Sequence, residues 1–237
     1  MNINSVNKLI SLLLEISKIE QLKIGFIDIV YKKVIKKSDV KHAKFIQIDD
    51  KVTYIKPKAF YDIYSIKSVY IPNKIVVIGR KSFMYCVNLK FICLPNTLKI
   101  INKNAFSNCY YLIRITIPKN VIIIKEGAFQ YCDSLQSIKL TSNLKLIDTN
   151  AFSYCDSLKK IKIPPNIKIK KDSFCGCNSL EKIFISNKYF KSKIYVLNFI
   201  FGSSLKCNQV NAIVSFKKNK YYSVVLLDKT NYFIDLF

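Results

Sequence analysis

The sequence is poor in several residue types that catalytic and nucleotide-binding sites require. Its 237 residues include no tryptophan, only five glycines and one histidine, His42. A histidine-centred dyad or triad needs partner groups beside the histidine, and His42 stands among lysines without such a motif. The isolated glycines build neither a phosphate-binding loop nor a dinucleotide fingerprint. We therefore expect no catalytic residues and no cofactor, and we predict that the chain is not an enzyme.

Long apolar runs are missing as well. The N-terminal apolar segment, residues 9–14, is interrupted by Ser11 and followed by Glu15, so it is too short for a secretory signal. No stretch approaches the roughly 20 apolar residues of a membrane-spanning helix. No Asn-x-Ser/Thr glycosylation sequon occurs either. These absences predict no membrane span and favour an intracellular location.

Acidic residues are scarce, which leaves the chain strongly basic. Lys+Arg 39 against Asp+Glu 15 gives a formal net charge of +24. Such an excess is typical of proteins that bind polyanions or acidic surfaces. However, the only arginines are Arg80 and Arg114, while Ile, Lys, Asn, Tyr and Phe are abundant, as expected when codons come from AT-rich DNA. Both explanations stay open, because the distribution of charge is more informative than its total.

What the sequence does contain is a repeat of 23 residues. In its later five copies, a cysteine follows the repeating phenylalanine after three residues and a leucine follows after three more. The unit is AFxxCxxLxxIxIPxxVxxI, and its cleanest copy is AFSNCYYLIRITIPKNVIII, from Ala105 to Ile124. The phenylalanines are spaced by 23 residues, with a final interval of 22: Phe60, Phe83, Phe106, Phe129, Phe152 and Phe174.

The spacing within the unit predicts one short strand per repeat. Ile115 and Ile117 alternate with polar residues, as in a half-buried strand, and Pro118 ends the pairing because it has no N–H. The remainder of each repeat is expected to form an irregular or short helical return segment. A single unit cannot bury its own apolar face, so neighbouring units must stack into a parallel sheet.

This unit resembles the leucine-rich repeats of the BspA-like family over residues 45–185, about six units. The resemblance implies a curved, right-handed leucine-rich-repeat solenoid used for protein binding, but it does not supply a partner. The copies depart from the pattern at Leu140 and Ile185, where no proline follows, and at the shortened turn before Phe174.

The ends of the chain lack the repeat. Residues 1–44 are predicted to be an N-terminal cap, with a helix from Val6 to Ile16 and a strand within residues 22–30. Residues 186–237 contain the apolar runs AIVSF, YYSVVLL and YFIDLF and are predicted to be a C-terminal cap built as a β-meander. The aromatic content of this end could instead form a dimer surface, so the oligomeric state stays open.

The repeating cysteines are expected to be buried, reduced and structural, like other small apolar side chains. Disulfides between rungs stay open, because rungs about 5 Å apart fall within the range that a disulfide tolerates. The only closely spaced pair is Cys175 and Cys177, so no metal site is expected. A second ladder, Asn120, Asn143 and Asn166, is expected to satisfy backbone groups of adjacent coils.

Any partner is expected on the concave strand face, where side chains alternate with the buried ones. The candidate partner-binding residues are aromatic at one end and mostly basic toward the other: Tyr70, Phe91, Arg114, Lys139, Lys160, Lys162, Lys182 and Phe184. A protein partner with an acidic surface fits this face. Nucleic acid or another polyanion is the alternative partner, and self-association in a structural or surface protein is a third hypothesis.

Overall fold

The computed structural model describes residues 28–30, 40–164, 167–180, 182–186, 211–216 and 221–227. These residues form a parallel β-solenoid in which each coil of the chain stacks on the next. The predicted solenoid fold is therefore confirmed. The helix predicted from Val6 to Ile16 lies outside the described residues, and the division into caps and repeats stays a prediction.

The first side of the solenoid is a sheet of short strands, which we call the main sheet. Its strands, numbered in chain order, are β1 (Asp28–Val30), β2 (Phe45–Ile48), β3 (Ser68–Tyr70), β5 (Phe91–Cys93), β7 (Arg114–Thr116), β9 (Ser137–Lys139), β11 (Lys160–Ile163) and β13 (Lys182–Ser186). The parallel ladder runs from β1 to β5 and again from β7 to β13. At the far end, β15 (Tyr221–Leu227) pairs antiparallel with β13, and β14 (Asn211–Phe216) pairs antiparallel with β15.

A second sheet forms another side of the coil, and the prediction of one strand per repeat missed it. Its strands are β4 (Val77–Ile78), β6 (Ile100–Ile101), β8 (Ile123–Ile124), β10 (Leu146–Ile147) and β12 (Lys168–Ile169). All of them pair in parallel. Strands of two residues are too short to show an alternating pattern, so no period-2 signal marks them in the sequence.

The return segments around the repeating phenylalanines are successive turns and not helices. These turns also form a hydrogen-bonded ladder, because the N–H of Phe83 donates to the Ala105 carbonyl at 2.8 Å and the N–H of Phe106 donates to the Ala128 carbonyl at 2.8 Å. The phenyl rings stack from coil to coil with centroids 4.8–5.3 Å apart and planes within 8° of parallel. The ladder of phenylalanines predicted from the sequence is thus one continuous stack.

The cysteines of the repeat line the same core and have a hydrogen-bonding role. Cys109 and Cys132 are fully buried. The Cys109 thiol donates to the Phe83 carbonyl at 3.2 Å, and the Cys132 thiol donates to the Phe106 carbonyl at 3.3 Å. Burial raises the pKa of both thiols, which keeps them protonated as donors. The same contact recurs in the other rungs, formed by Cys86, Cys155 and Cys177.

The asparagine ladder performs the role predicted for it in the described coils. The Asn120 amide donates to the Asn96 carbonyl at 2.7 Å, and the Asn143 amide donates to the Lys119 carbonyl at 2.9 Å. Each side chain therefore satisfies a turn carbonyl of the preceding coil. Asn166 lies outside the described residues.

Candidate functional site

The strand register places the outward residues of the main sheet in two columns. In the first column, Phe45 pairs with Ser68 and Ser68 pairs with Phe91. In the second, Gln47 pairs with Tyr70 and Tyr70 pairs with Cys93. The residues between these columns are buried. We call this outward side the main-strand face, formed by Phe45, Gln47, Ser68, Tyr70, Phe91, Cys93, Arg114, Thr116, Ser137, Lys139, Lys160 and Lys162.

One end of the main-strand face is aromatic. Phe91 is 53% exposed and Phe45 is 39% exposed, whereas Tyr70 is half-buried. The small Ser68 separates the two phenylalanines in the first column, so the rings stand two strand spacings, or about 10 Å, apart. This arrangement leaves a slot over Ser68 that is flanked by two apolar walls.

The other end of the face is basic. Arg114, Lys139, Lys160 and Lys162 are exposed. The residues that precede the strands add further exposed lysines along one border, namely Lys44, Lys67, Lys90 and Lys159. Among the described side chains, no Asp or Glu lies on this face or on that border.

Two of the predicted site residues belong to β13, where the structure describes only the backbone. Lys182 pairs with Lys160, and Phe184 pairs with Lys162. This register extends the two columns by one more strand. It brings Lys182 and Phe184 beside the basic end and away from Tyr70 and Phe91.

The one thiol on the main-strand face belongs to Cys93, which is half-buried. Burial raises the pKa of this thiol, so the neutral form prevails at neutral pH. A reactive cysteine needs the opposite shift. Cys93 therefore adds polarizable contact area and not a nucleophile to the face.

Other groups that could carry chemistry lie apart from this face. His42 is exposed. Glu126 forms an ion pair with Lys103 at 2.7 Å, and Asp148 forms one with Lys170 at 2.9 Å. No group of three His, Cys, Asp or Glu side chains that could hold a metal ion occurs within the part of the chain that the structure describes. Over the same residues, no helix has the length and apolar character needed to cross a membrane.

The sequence pattern did not identify two features of the surface. Phe45 was missed because its coil lacks the AFxxC signature that marks the later strands. A row of tyrosines on the turns was missed as well, although a tyrosine directly precedes the repeating cysteine in three copies: the half-buried Tyr85 and the exposed Tyr131 and Tyr154. The rings of Tyr131 and Tyr154 stack with centroids 4.7 Å apart, so each ring covers one face of the other.

Comparison with known proteins agrees with this architecture. The sequence matches the family described as BspA type Leucine rich repeat region in six copies, over residues 35–114 and 99–224. The chain belongs to this family. Members of the BspA-type family and the similar solved structures are repeat scaffolds, which is an architecture typical of protein interaction. No curated protein matches the chain.

Several solved structures of bacterial proteins are similar. The leucine-rich repeat protein of T. pallidum is 29% identical with a TM-score of 0.58, over 59% of this chain and 68% of that chain. A leucine-rich cell surface protein from Faecalibacterium prausnitzii is 31% identical with a TM-score of 0.53, over 60% of this chain and 39% of that chain. The pneumococcal vaccine antigen PcpA, 20% identical with a TM-score of 0.56, shares the fold over 69% of this chain and 40% of that chain.

Proposed function

We propose that this BspA-type chain is a non-enzymatic scaffold whose main-strand face binds a protein with an acidic surface. The observation that carries the proposal is the composition of that face. It combines exposed aromatic rings at one end with exposed cations at the other, and its described side chains include no carboxylate. Aromatic anchors supply most of the binding free energy in such interfaces, and charge complementarity supplies steering and specificity.

The distribution of lysine supports a functional origin of the basic end. Six turn segments, each running from one to six residues after a repeating phenylalanine, contain no Lys or Arg: residues 61–66, 84–89, 107–112, 130–135, 153–158 and 175–180. AT-rich codon usage would place lysine at exposed turn positions as readily as on strands. Lysines do lie on other turns, such as Lys58, Lys74 and Lys119, so the pattern is one lysine-free side in every coil. That uneven distribution favours a role in binding over codon usage alone.

The aromatic end gives the proposed interface an anchor point. A partner side chain that enters the slot over Ser68 would contact Phe45 and Phe91 together. Pockets lined by aromatic residues are where interface hot spots occur. Phe91 is the more exposed ring, so it is the residue whose truncation is expected to cost most in affinity.

A polyanion partner is less well supported by the same face. Among its described residues Arg114 is the only arginine, and bidentate recognition of bases and phosphates is mainly a property of arginine. Lysine contacts to phosphate alone would be non-specific and steeply salt-dependent. The exposed phenylalanines have no part in that mode of binding unless bases stack on them.

The test is affinity capture from a lysate of the source cell, with and without nuclease, followed by identification of the bound proteins. The basic variant carries Lys139→Gln, Lys160→Gln and Lys162→Gln, and the aromatic variant carries Phe91→Ser. A matched control carries Lys41→Gln, Lys51→Gln and Lys171→Gln, which remove the same charge from exposed turn positions. Only exposed side chains change, so each variant is expected to keep the wild-type unfolding midpoint.

We expect one discrete protein to be captured regardless of nuclease, to be lost with the basic and aromatic variants, and to be retained with the control. Loss of the Phe91 ring should weaken binding by at least about 2 kcal/mol, which is about 30-fold. Capture that disappears with nuclease would favour the polyanion alternative. Capture that neither variant reduces would exclude the main-strand face as the binding site.

A further inference from the structure

The second sheet presents another outward side, which differs in chemistry from the main-strand face. Its exposed column is Val76, Lys99, Ile122, Lys145 and Lys168, in which the N–H of each of the last four donates to the carbonyl of the one before at 2.8–2.9 Å. A neighbouring column, joined by the strand register, is aliphatic in four strands, Val77, Ile100, Ile123 and Leu146, and pairs with Lys168 in the fifth. We call these two columns the second-sheet face.

Several aliphatic side chains of this face are exposed to solvent, which is unusual for a sheet that faces only water. Val76 is 39% exposed and Ile122 is 41% exposed, and the whole aliphatic column beside them is only half-buried. A solvated sheet face ordinarily carries polar side chains at these alternate positions. Contact with an apolar or amphipathic environment would therefore stabilise these exposed aliphatic side chains.

The charge of the face indicates which environment that is. Lys99 and Lys145 alternate with Val76 and Ile122 along the exposed column, and Lys168 continues it. Residues 73–78, 96–101, 119–124, 142–147 and 167–169, which form the second strands and their approaches, contain no Asp or Glu. A surface of short apolar side chains with interspersed cations, on a chain of net charge +24, is complementary to a layer of anionic headgroups above hydrocarbon.

We propose that the second-sheet face docks on an anionic lipid bilayer. The lysines contact headgroup phosphates and carboxylates, while Val76 and Ile122 enter the boundary between headgroups and acyl chains. The main-strand face points to a different side of the common core, so it stays open to a protein partner when the second sheet is docked. The chain lies on the membrane in this arrangement and does not span it.

The experiment is co-sedimentation with two kinds of vesicle, one of phosphatidylcholine alone and one of phosphatidylcholine with phosphatidylserine. The lysine variant carries Lys99→Gln, Lys145→Gln and Lys168→Gln. The apolar variant carries Val76→Ser and Ile122→Ser. The control is the turn variant Lys41→Gln, Lys51→Gln, Lys171→Gln, which has the same net charge as the lysine variant.

We expect the wild-type chain to bind the vesicles that contain phosphatidylserine and not those of phosphatidylcholine alone. Each lysine near the surface contributes about fivefold to the partition coefficient, so the lysine variant should lose on the order of 100-fold and the turn variant clearly less. The apolar variant should lose about tenfold, and this loss should persist at high salt.

Three outcomes would overturn the proposal. The first is that the wild-type chain does not bind the anionic vesicles. The second is equal loss in the lysine and turn variants, because net charge alone would then explain the binding. The third is that the apolar variant binds the anionic vesicles as well as the wild-type chain does at high salt. None of these outcomes bears on capture of a protein by the main-strand face, so the two proposals fail separately.

Discussion

At the scale of single residues, the most unusual feature is the left-handed backbone of the turns. Two positions in each coil have positive φ, two residues before and two residues after the repeating phenylalanine. Around Phe83 these are Lys81, with φ of 57°, and Tyr85, with φ of 63°. Both donate their N–H to the next coil, so this geometry belongs to the turn ladder. Side chains with a Cβ adopt this region at a cost.

Lys81→Gly is therefore expected to stabilise the protein. Glycine already occupies the equivalent position two coils on, as Gly127 with φ of 60°. Relief of the left-handed strain outweighs the larger backbone entropy of glycine in the unfolded chain, for a net gain of about 0.5–1 kcal/mol. The free energy of unfolding in urea measures this difference.

Lys90→Gly is the matched control. The Lys90 N–H also donates to a neighbouring coil, to the Lys67 carbonyl at 2.8 Å, but Lys90 is not among the residues with positive φ. Its replacement should lower the free energy of unfolding by about 0.5–1 kcal/mol, since only the entropic cost remains. Equal effects of the two substitutions would contradict the account of the turns.

Residue identity alone predicts part of this turn geometry. Asn104, Gly127 and Asn150 are residue types that tolerate positive φ, and they are spaced by the repeat. Lys58 and Lys81 occupy the same position without any such signal. Only the hydrogen bonds between coils require the left-handed conformation there.

At the scale of elements, the stacked phenylalanines link the coils along the solenoid. Phe129 is fully buried between Phe106 and Phe152, with centroids 5.2 Å away on both sides. Phe60 is 1% exposed and stacks on one described ring, that of Phe83, at 4.8 Å. Interior rungs therefore have two aromatic contacts, whereas the first rung has one.

Phe129→Leu is expected to cost more stability than Phe60→Leu. Both changes remove a similar apolar volume from the core, but the interior change removes two stacked contacts and the end change removes one. Each aromatic pair contributes about 0.5–1.5 kcal/mol beyond area burial, so the two losses should differ by about 1 kcal/mol. Thermal or urea unfolding of both variants measures the difference. Equal losses would mean that the stack adds nothing beyond hydrophobic burial.

The elements differ in how far the sequence could predict them. The main strands follow from the alternation of apolar and polar residues in the sequence. The residues predicted to point outward are exposed in β7 and β11, and the residues between them are buried. The second strands could not be predicted, because Val77–Ile78 and Ile123–Ile124 lie in uninterrupted apolar runs. Because the second sheet was not predicted, Lys99 and Lys145 could not be assigned to any surface from the sequence.

At the scale of the whole molecule, charge is distributed by side. In residues 40–180, no acidic residue belongs to a strand of either sheet; most lie in turns, while Asp49 and Asp148 directly follow strands. The sequence predicts the candidate site on the main-strand face only in part. The sequence predicted the outward columns from Tyr70 onward, but the aromatic slot depends on Phe45, which enters the face through the register of β2 with β3.

Site-specific photo-crosslinking of the captured protein partner tests whether the main-strand face is the binding surface. A photoreactive phenylalanine analogue is placed at position 91 on the main-strand face or at position 111 on the turns. Phe91 is 53% exposed and Tyr111 is 52% exposed, so the two probes are matched aromatic positions on different sides of the coil. We expect adducts with the partner from position 91 and none from position 111. Adducts from position 111 alone, or equal adducts from both, would contradict this expectation.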